Sequence, residues 1–312
     1  MNNSGVKIPA EYIVPLNMNG LRGRMLKVPA NQNKKREFLV VYGHHTSLER
    51  MYGFADFLRD YGSVTIPDLP GFGGMDSFYK IHEKPDLDTL ADYLASFIKL
   101  RFRNKQVTIV GFSTGFLIVT RMLQRYPKLC DQVDILVSLA GFASHEDFVF
   151  SKTRKRFYRH VPRLFERRLT AVFFRNVLLH PTLLKLFYKH TYNAREKFDG
   201  LDDSNIGSMT KFEIQLWRTN DVRTYMKTTR EMFNADNTKQ KVPLNVWQVA
   251  IPADKYFDEK RTEKHLKMIF KKVTVVKADQ KRHMPIVLAD KSAAAPYFPP
   301  KLLQAFRRQP KH

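Results

Sequence analysis

Ten residues, Gln106-Val-Thr-Ile-Val-Gly-Phe-Ser-Thr-Gly115, restrict the fold of this 312-residue chain more than any others. A β-branched run stops at Gly111, Ser113 follows two residues later, Gly115 two after that, and Phe116 to Arg125 continues as an apolar, helix-like stretch. The pattern G-x-S-x-G between a strand and a helix describes a sharp, strained turn with the serine at its tip. Small residues are needed on both sides because a Cβ there would strike the neighbouring backbone. The turn lifts the Ser113 hydroxyl clear of the sheet. It also leaves the N–H of Thr114 at a helix N-terminus, where an amide and the helix dipole can hold a developing oxyanion.

Around this turn the chain alternates between two periodicities. Glu37 to Tyr42, Ser63 to Pro67, Gln106 to Val110 and Val133 to Leu139 read as strands, with helices expected over Ser47 to Tyr61 and Leu87 to Phe102. Strands separated by helices imply βαβ units, so the expected class is α/β, a mostly parallel central sheet flanked by helices. From about Phe148 to Lys241 strand signals vanish and helical spacing dominates. The alternation then returns, with strands at Leu244 to Ile251 and Val273 to Lys277 and helices at Asp258 to Phe270 and Lys301 to Arg308. The expected organisation is a core of residues 1–147 and 241–312, with a helical cap inserted over residues 148–240.

A serine hydroxyl attacks a carbonyl only when a base takes its proton, and the base in turn needs an orienting carboxylate. His283 follows the last expected strand and is the candidate base; His265 falls inside an expected helix and His312 at the chain end. Asp254 lies just past the strand ending at Ile251, where open α/β sheets put their functional loops, and is the preferred acid. Asp258 reads better as the start of the next helix. Glu146 and Asp147, after the strand that follows the serine, are further alternatives. Asp279 is too close to His283 in sequence. The second oxyanion donor is expected in Tyr42-Gly43-His44-His45, from the His44 N–H. That His pair has no acidic or cysteine partner at ligand spacing, so no metal is expected, and the loop Asp68-Leu-Pro-Gly-Phe-Gly-Gly74 lacks a complete nucleotide-binding pattern, so no cofactor is expected.

Taken together, Tyr42-Gly43-His44, Asp68-Leu69-Pro70-Gly71-Phe72-Gly73, the Ser113 turn, Asp254 and His283 stand in the order of the α/β-hydrolase family, and the chain outside the insertion resembles that family. The loop at Asp68 is similar to its D-x-x-G-x-G loop. Tyr42 stands where the family often has histidine, and Arg282-His283 where Gly-His is common. Serine at the nucleophile position separates the chain from the dehalogenase and epoxide-hydrolase branches. The resemblance implies two-step acyl transfer on a small-molecule ester or thioester: Ser113 attacks, His283 accepts the proton, Asp254 orients it, and the amides of Thr114 and His44 hold the oxyanion. An acyltransferase with the same triad, or a hydrolase fold that only binds, are the alternatives.

Charge bears on partners. The chain carries a formal net charge of +23, and residues 151–200 hold thirteen Lys or Arg against three acids, so +10 of it sits in the insertion. There Phe157, Val161, Leu164, Phe165, Leu169, Val172 and Phe173 recur at helical spacing with arginines between them. The preferred reading packs this stripe on the core and leaves the arginines in water. A second lays it on an anionic membrane, and a third has the basic cap select an acidic substrate such as a phospholipid or an acyl-CoA. No nucleic-acid motif accompanies the charge. The content of 43% hydrophobic and 12% aromatic residues excludes a disordered chain, and one cysteine, Cys130, excludes an intrachain disulfide. Without an apolar leader or an 18-residue apolar run the expectation is a cytoplasmic protein, peripheral at a membrane if the basic stretch docks there.

Overall fold

The computed structural model describes residues 8–180, 182–184, 203–280, 283 and 291–310; residues 185–202, part of the expected basic insertion, and His312 lie outside them. Eight strands form one sheet in the order β1-β2-β4-β3-β5-β6-β7-β8, where β1 is Ile13–Met18, β2 Leu21–Val28, β3 Glu37–Val41, β4 Ser63–Pro67, β5 Val107–Phe112, β6 Val133–Leu139, β7 Val242–Ala250 and β8 Phe270–Lys277. The six strands from β3 onward pair in parallel, and β1 and β2 run antiparallel at one edge. Every residue of β5 is buried, as expected for a central parallel strand covered on both faces.

The elements read from periodicity recur with ends moved by at most three residues: α1 is Leu48–Leu58, α2 Leu87–Arg101, α3 Thr114–Arg125, and α8 Glu259–Ile269, while Pro300–Arg307 forms the last helix. The β1–β2 hairpin was not expected. Its signal is Asn19-Gly20, two residues with φ of 51° and 79°, the backbone a two-residue hairpin turn requires. Pro15 lies in β1, the edge strand, where a residue without an N–H donor is tolerated.

One core runs under the whole sheet. Phe57 stacks on Phe298 at 5.1 Å, joining α1 to the segment before the last helix, and Phe38 meets Phe306 edge-on at 5.1 Å, joining that helix to β3. Buried Arg36 ties that helix down further, donating to the carbonyls of Phe306 and Arg308 and pairing with Asp134.

Between β6 and β7 the described residues are helical: α4 is Lys152–His160, α5 Arg168–Phe173, α6 Asp203–Thr219 and α7 Val222–Asn234. A second, small core of Ala171, Leu179, Leu184, Ile214, Val222 and Met226 joins them, while Met232 and Phe233 at the end of α7 belong to the main core. The amphipathic stripe does not pack on the core as its preferred reading expects. Phe157, Leu164, Leu169, Val172 and Phe173 are exposed; Val161 and Phe165 are partly buried, because the helices turn a different apolar side, led by Ala171, toward α6 and α7.

Candidate active site

β5 runs straight into α3, and Ser113 is the single residue between them, with φ 47° and ψ −118°. Such a backbone costs about 1–3 kcal/mol in a residue with a side chain, and it persists only because the neighbours leave no alternative. Ser113 N–H donates to Leu139 O of the adjacent strand at 3.1 Å, and Phe116 N–H donates to Ser113 O at 3.1 Å. A Cβ on Gly115 would lie 2.2 Å from Val41 O, so only glycine lets α3 start this close to β3. Ser113 itself is partly exposed.

Thr114 opens α3, so its N–H has no acceptor within the helix. Its hydroxyl donates to Met232 Sδ of α7 at 2.8 Å. Across from it, a Cβ on Gly43 would sit 3.1 Å from Ser113 Cβ and 3.7 Å from its Oγ, so the peptide leading to His44 passes beside the serine. The His44 ring turns away, its Nε2–H donating to Tyr225 O at 3.2 Å and Thr228 Oγ1 at 2.9 Å on α7. Burial there, and the neighbouring His45, push the His44 imidazole down to about 3, so it is neutral. His45, with φ 55°, packs at a tilt against Trp217, ring centroids 4.2 Å apart, and lies 3.5 Å from the buried Glu213 carboxylate, which also pairs with Arg50. Both histidines therefore fasten the loop to α6 and α7. Among the described residues no group of three or more His, Cys, Asp or Glu is gathered as metal ligands would be.

Past β7 the chain turns at Ala253, φ 56°, and presents Asp254. Its Oδ1 accepts the Tyr256 N–H at 2.8 Å, and its Oδ2 accepts Nδ1–H of His283 at 2.7 Å. Both side chains are largely buried, and the imidazole packs on Tyr256 and Phe257 at 4.8 and 5.3 Å. Registers Phe112↔Leu139, Leu139↔Val249 and Ala250↔Lys277 put the carboxyl ends of β5, β7 and β8 side by side, and Ser113, Asp254 and His283 each follow one of those ends. Among the described residues Ser113 Oγ makes no hydrogen bond to His283.

A profile of the alpha/beta hydrolase fold matches residues 38–306, most of the chain. The chain belongs to the α/β hydrolase fold family. Solved structures agree on the fold: a bromoperoxidase from Bacillus anthracis superposes with a TM-score of 0.63 at 15% identity, covering 95% of this chain and 100% of that one. An esterase from Exiguobacterium antarcticum gives 0.61 at 14% identity over 85% and 90% of the two chains. A thermophilic esterase from Thermogutta terrifontis gives 0.56 at 15% over 95% and 99%. No curated protein matches in sequence. At such identities the likeness is one of fold.

Within this α/β hydrolase the other candidate acids are engaged elsewhere. Asp258 caps α8, its side chain accepting the Arg261 N–H at 2.8 Å. Asp147 is fully buried, accepts the N–H groups of Ala143 and Ser144 at 2.8 and 3.0 Å, and holds His265 Nδ1 at 2.5 Å. Glu146, with its side chain 64% exposed, lies 3.8 Å from the other nitrogen of His265. The fold thus contains a second Asp–His pair, separate from Asp254 and His283. Tyr42, where the family often carries histidine, donates to Asp68 at 2.9 Å and accepts the Leu69 N–H at 2.7 Å, so it braces the glycine-rich loop. Sequence reasoning missed Met232, Tyr225 and Thr228; their contacts depend on how α7 crosses the site, and no local pattern announces that.

Proposed function

We propose that this α/β hydrolase cleaves a carboxylic ester or thioester through an acyl-enzyme on Ser113. The observation that carries the reading is the Asp254–His283 hydrogen bond of 2.7 Å beside the strained serine turn. With Nδ1–H committed to Asp254, the imidazole keeps its Nε2 lone pair for the serine proton. Ser113 Oγ bonds to the carbonyl carbon as its proton passes to His283 Nε2, and the oxyanion is held by the Thr114 and His44 N–H groups. The C–O or C–S bond then breaks and the leaving alcohol or thiol takes that proton. Water, deprotonated by the same imidazole, releases the acid and restores the serine. The missing Ser113–His283 hydrogen bond is ordinary for a free enzyme, in which such contacts are loose until substrate enters.

The helices between β6 and β7 serve as a cap in this reading. His44 bonds to α7, and Gly73 N–H donates to Asn220 Oδ1 at 2.9 Å just before α7, so the helices join the loops that frame the serine. Met232 on Thr114, and Tyr256 and Phe257 on His283, give the site apolar walls, which supports an apolar acyl group. A series of p-nitrophenyl esters tests this. The expected result is an acyl adduct on Ser113 by intact mass and a kcat/KM that rises about fourfold per added methylene until the walls are filled. No adduct and no p-nitrophenol release at any chain length contradicts it.

A further inference from the structure

The helical rod formed by α5 and the π-turn Phe174–Leu178 is apolar on two sides. Ala171 and Phe174 turn inward onto the small core with Ile214, Val222 and Met226. Leu169, Val172 and Phe173 face outward at 85%, 50% and 57% exposure, and Val177 continues the same side. Their spacing of three, four and eight residues puts them on one stripe, where a surface helix carries polar groups. Phe157 of α4 and Leu164 of the turn after it are also more than half exposed.

Cations surround this stripe. Residues 151–180 contain nine Lys or Arg and one acid, Glu166, which is already paired with Arg230. Lys152, Arg156, Arg163, Arg167 and Arg168 are exposed, and among the described residues none of them pairs with a carboxylate. We propose that this face docks the protein on an anionic lipid surface, the outer stripe entering the headgroup–acyl boundary while the guanidinium groups meet lipid phosphates. Nucleic acid would answer the charge and leave Leu169 and Phe173 in water. An apolar protein face would cover the stripe and strand five cations. An anionic bilayer satisfies both at once. α4 and α5 rest on α7, whose Met232 touches Thr114, so the docking face is one helix layer from Ser113. The inference stands whatever reaction Ser113 performs.

Co-sedimentation of the full chain with vesicles tests it, using phosphatidylcholine alone or mixed with phosphatidylglycerol, at low and high salt. Wild type and Ser113→Ala are expected on the anionic vesicles alone. Partition should weaken by about tenfold or more at high salt, in Leu169→Glu/Phe173→Glu and in Arg167→Gln/Arg168→Gln. Near-UV circular dichroism and thermal midpoints of both variants should match wild type, since all four side chains are exposed. Failure of wild type to bind anionic vesicles at low salt overturns the proposal. So does binding of folded variants at wild-type strength, or equal binding to phosphatidylcholine. A lipid-free dimer abolished by Leu169→Glu/Phe173→Glu, with no vesicle binding, would give the face to a second copy instead.

Discussion

His283 holds Asp254 at 2.7 Å, and the same fold buries a second pair, His265 on Asp147, at 2.5 Å. The two pairs differ in what surrounds them. The first follows the ends of β7 and β8 beside the serine turn, while the second is locked between α8 and the loop after β6.

Asp254→Asn should therefore lower kcat by about 10⁴-fold, because an amide in place of the carboxylate favours the wrong imidazole tautomer and gives no charge to the imidazolium. Asp258→Asn should leave kcat near wild type, since asparagine still caps α8. Steady-state kinetics on one ester distinguishes the two. A loss confined to Asp258→Asn would reverse the choice of acid.

Asp147→Ala should act on stability. It strands the N–H groups of Ala143 and Ser144 and the His265 ring in a buried site, a loss of about 3 kcal/mol. Urea unfolding measures it, and the folded fraction should keep its turnover per active site. A folded, wild-type-stable Asp147→Ala with no activity would make Asp147 part of the chemistry.

His44 gives a pH signature. Its folded-state pKa, about 3, is below the ordinary 6.5, so its contribution to stability is present above pH 6.5 and is lost as pH falls toward 3. Over that window the unfolded chain binds one more proton than the folded one at this site, a slope of about 1.4 kcal/mol per pH unit. His44→Gln, which keeps a donor for Tyr225 O, should show a shallower acid limb in urea-unfolding free energies measured across the window. Parallel limbs for the two proteins would contradict the burial of a neutral ring.

Glycine positions separate fold from catalysis. Gly115→Ala drives a Cβ to 2.2 Å from Val41 O and should prevent folding. The Cβ of Gly43→Ala meets Ser113 Cβ at 3.1 Å and Phe112 O at 3.3 Å, so the serine must shift by a few tenths of an ångström. We expect a thermal midpoint close to wild type and a kcat/KM down about tenfold.

Much of this was legible in the sequence because the signals are local. The β-branched run before Gly111 and the small residues around Ser113 mark the turn, and the strand ending near Ile251 marks the Asp254 loop. Asp258 reads as a helix start, and it caps α8. The β1–β2 hairpin has an equally local sign in Asn19-Gly20, upstream of the strand–helix alternation that begins at Glu37. The rest depends on long-range placement. Whether Leu169 and Phe173 or Ala171 and Phe174 face inward is decided by α6 and α7, tens of residues further on. The Asp147–His265 pair spans 118 residues, beyond the reach of any spacing rule.

The central claim is that Ser113 is the nucleophile, and labelling with a fluorophosphonate probe tests it most directly. Wild type should be labelled covalently with one adduct at Ser113, Ser113→Ala should not be labelled, and Asp254→Asn should react much more slowly. Equal labelling of wild type and Ser113→Ala would contradict the account.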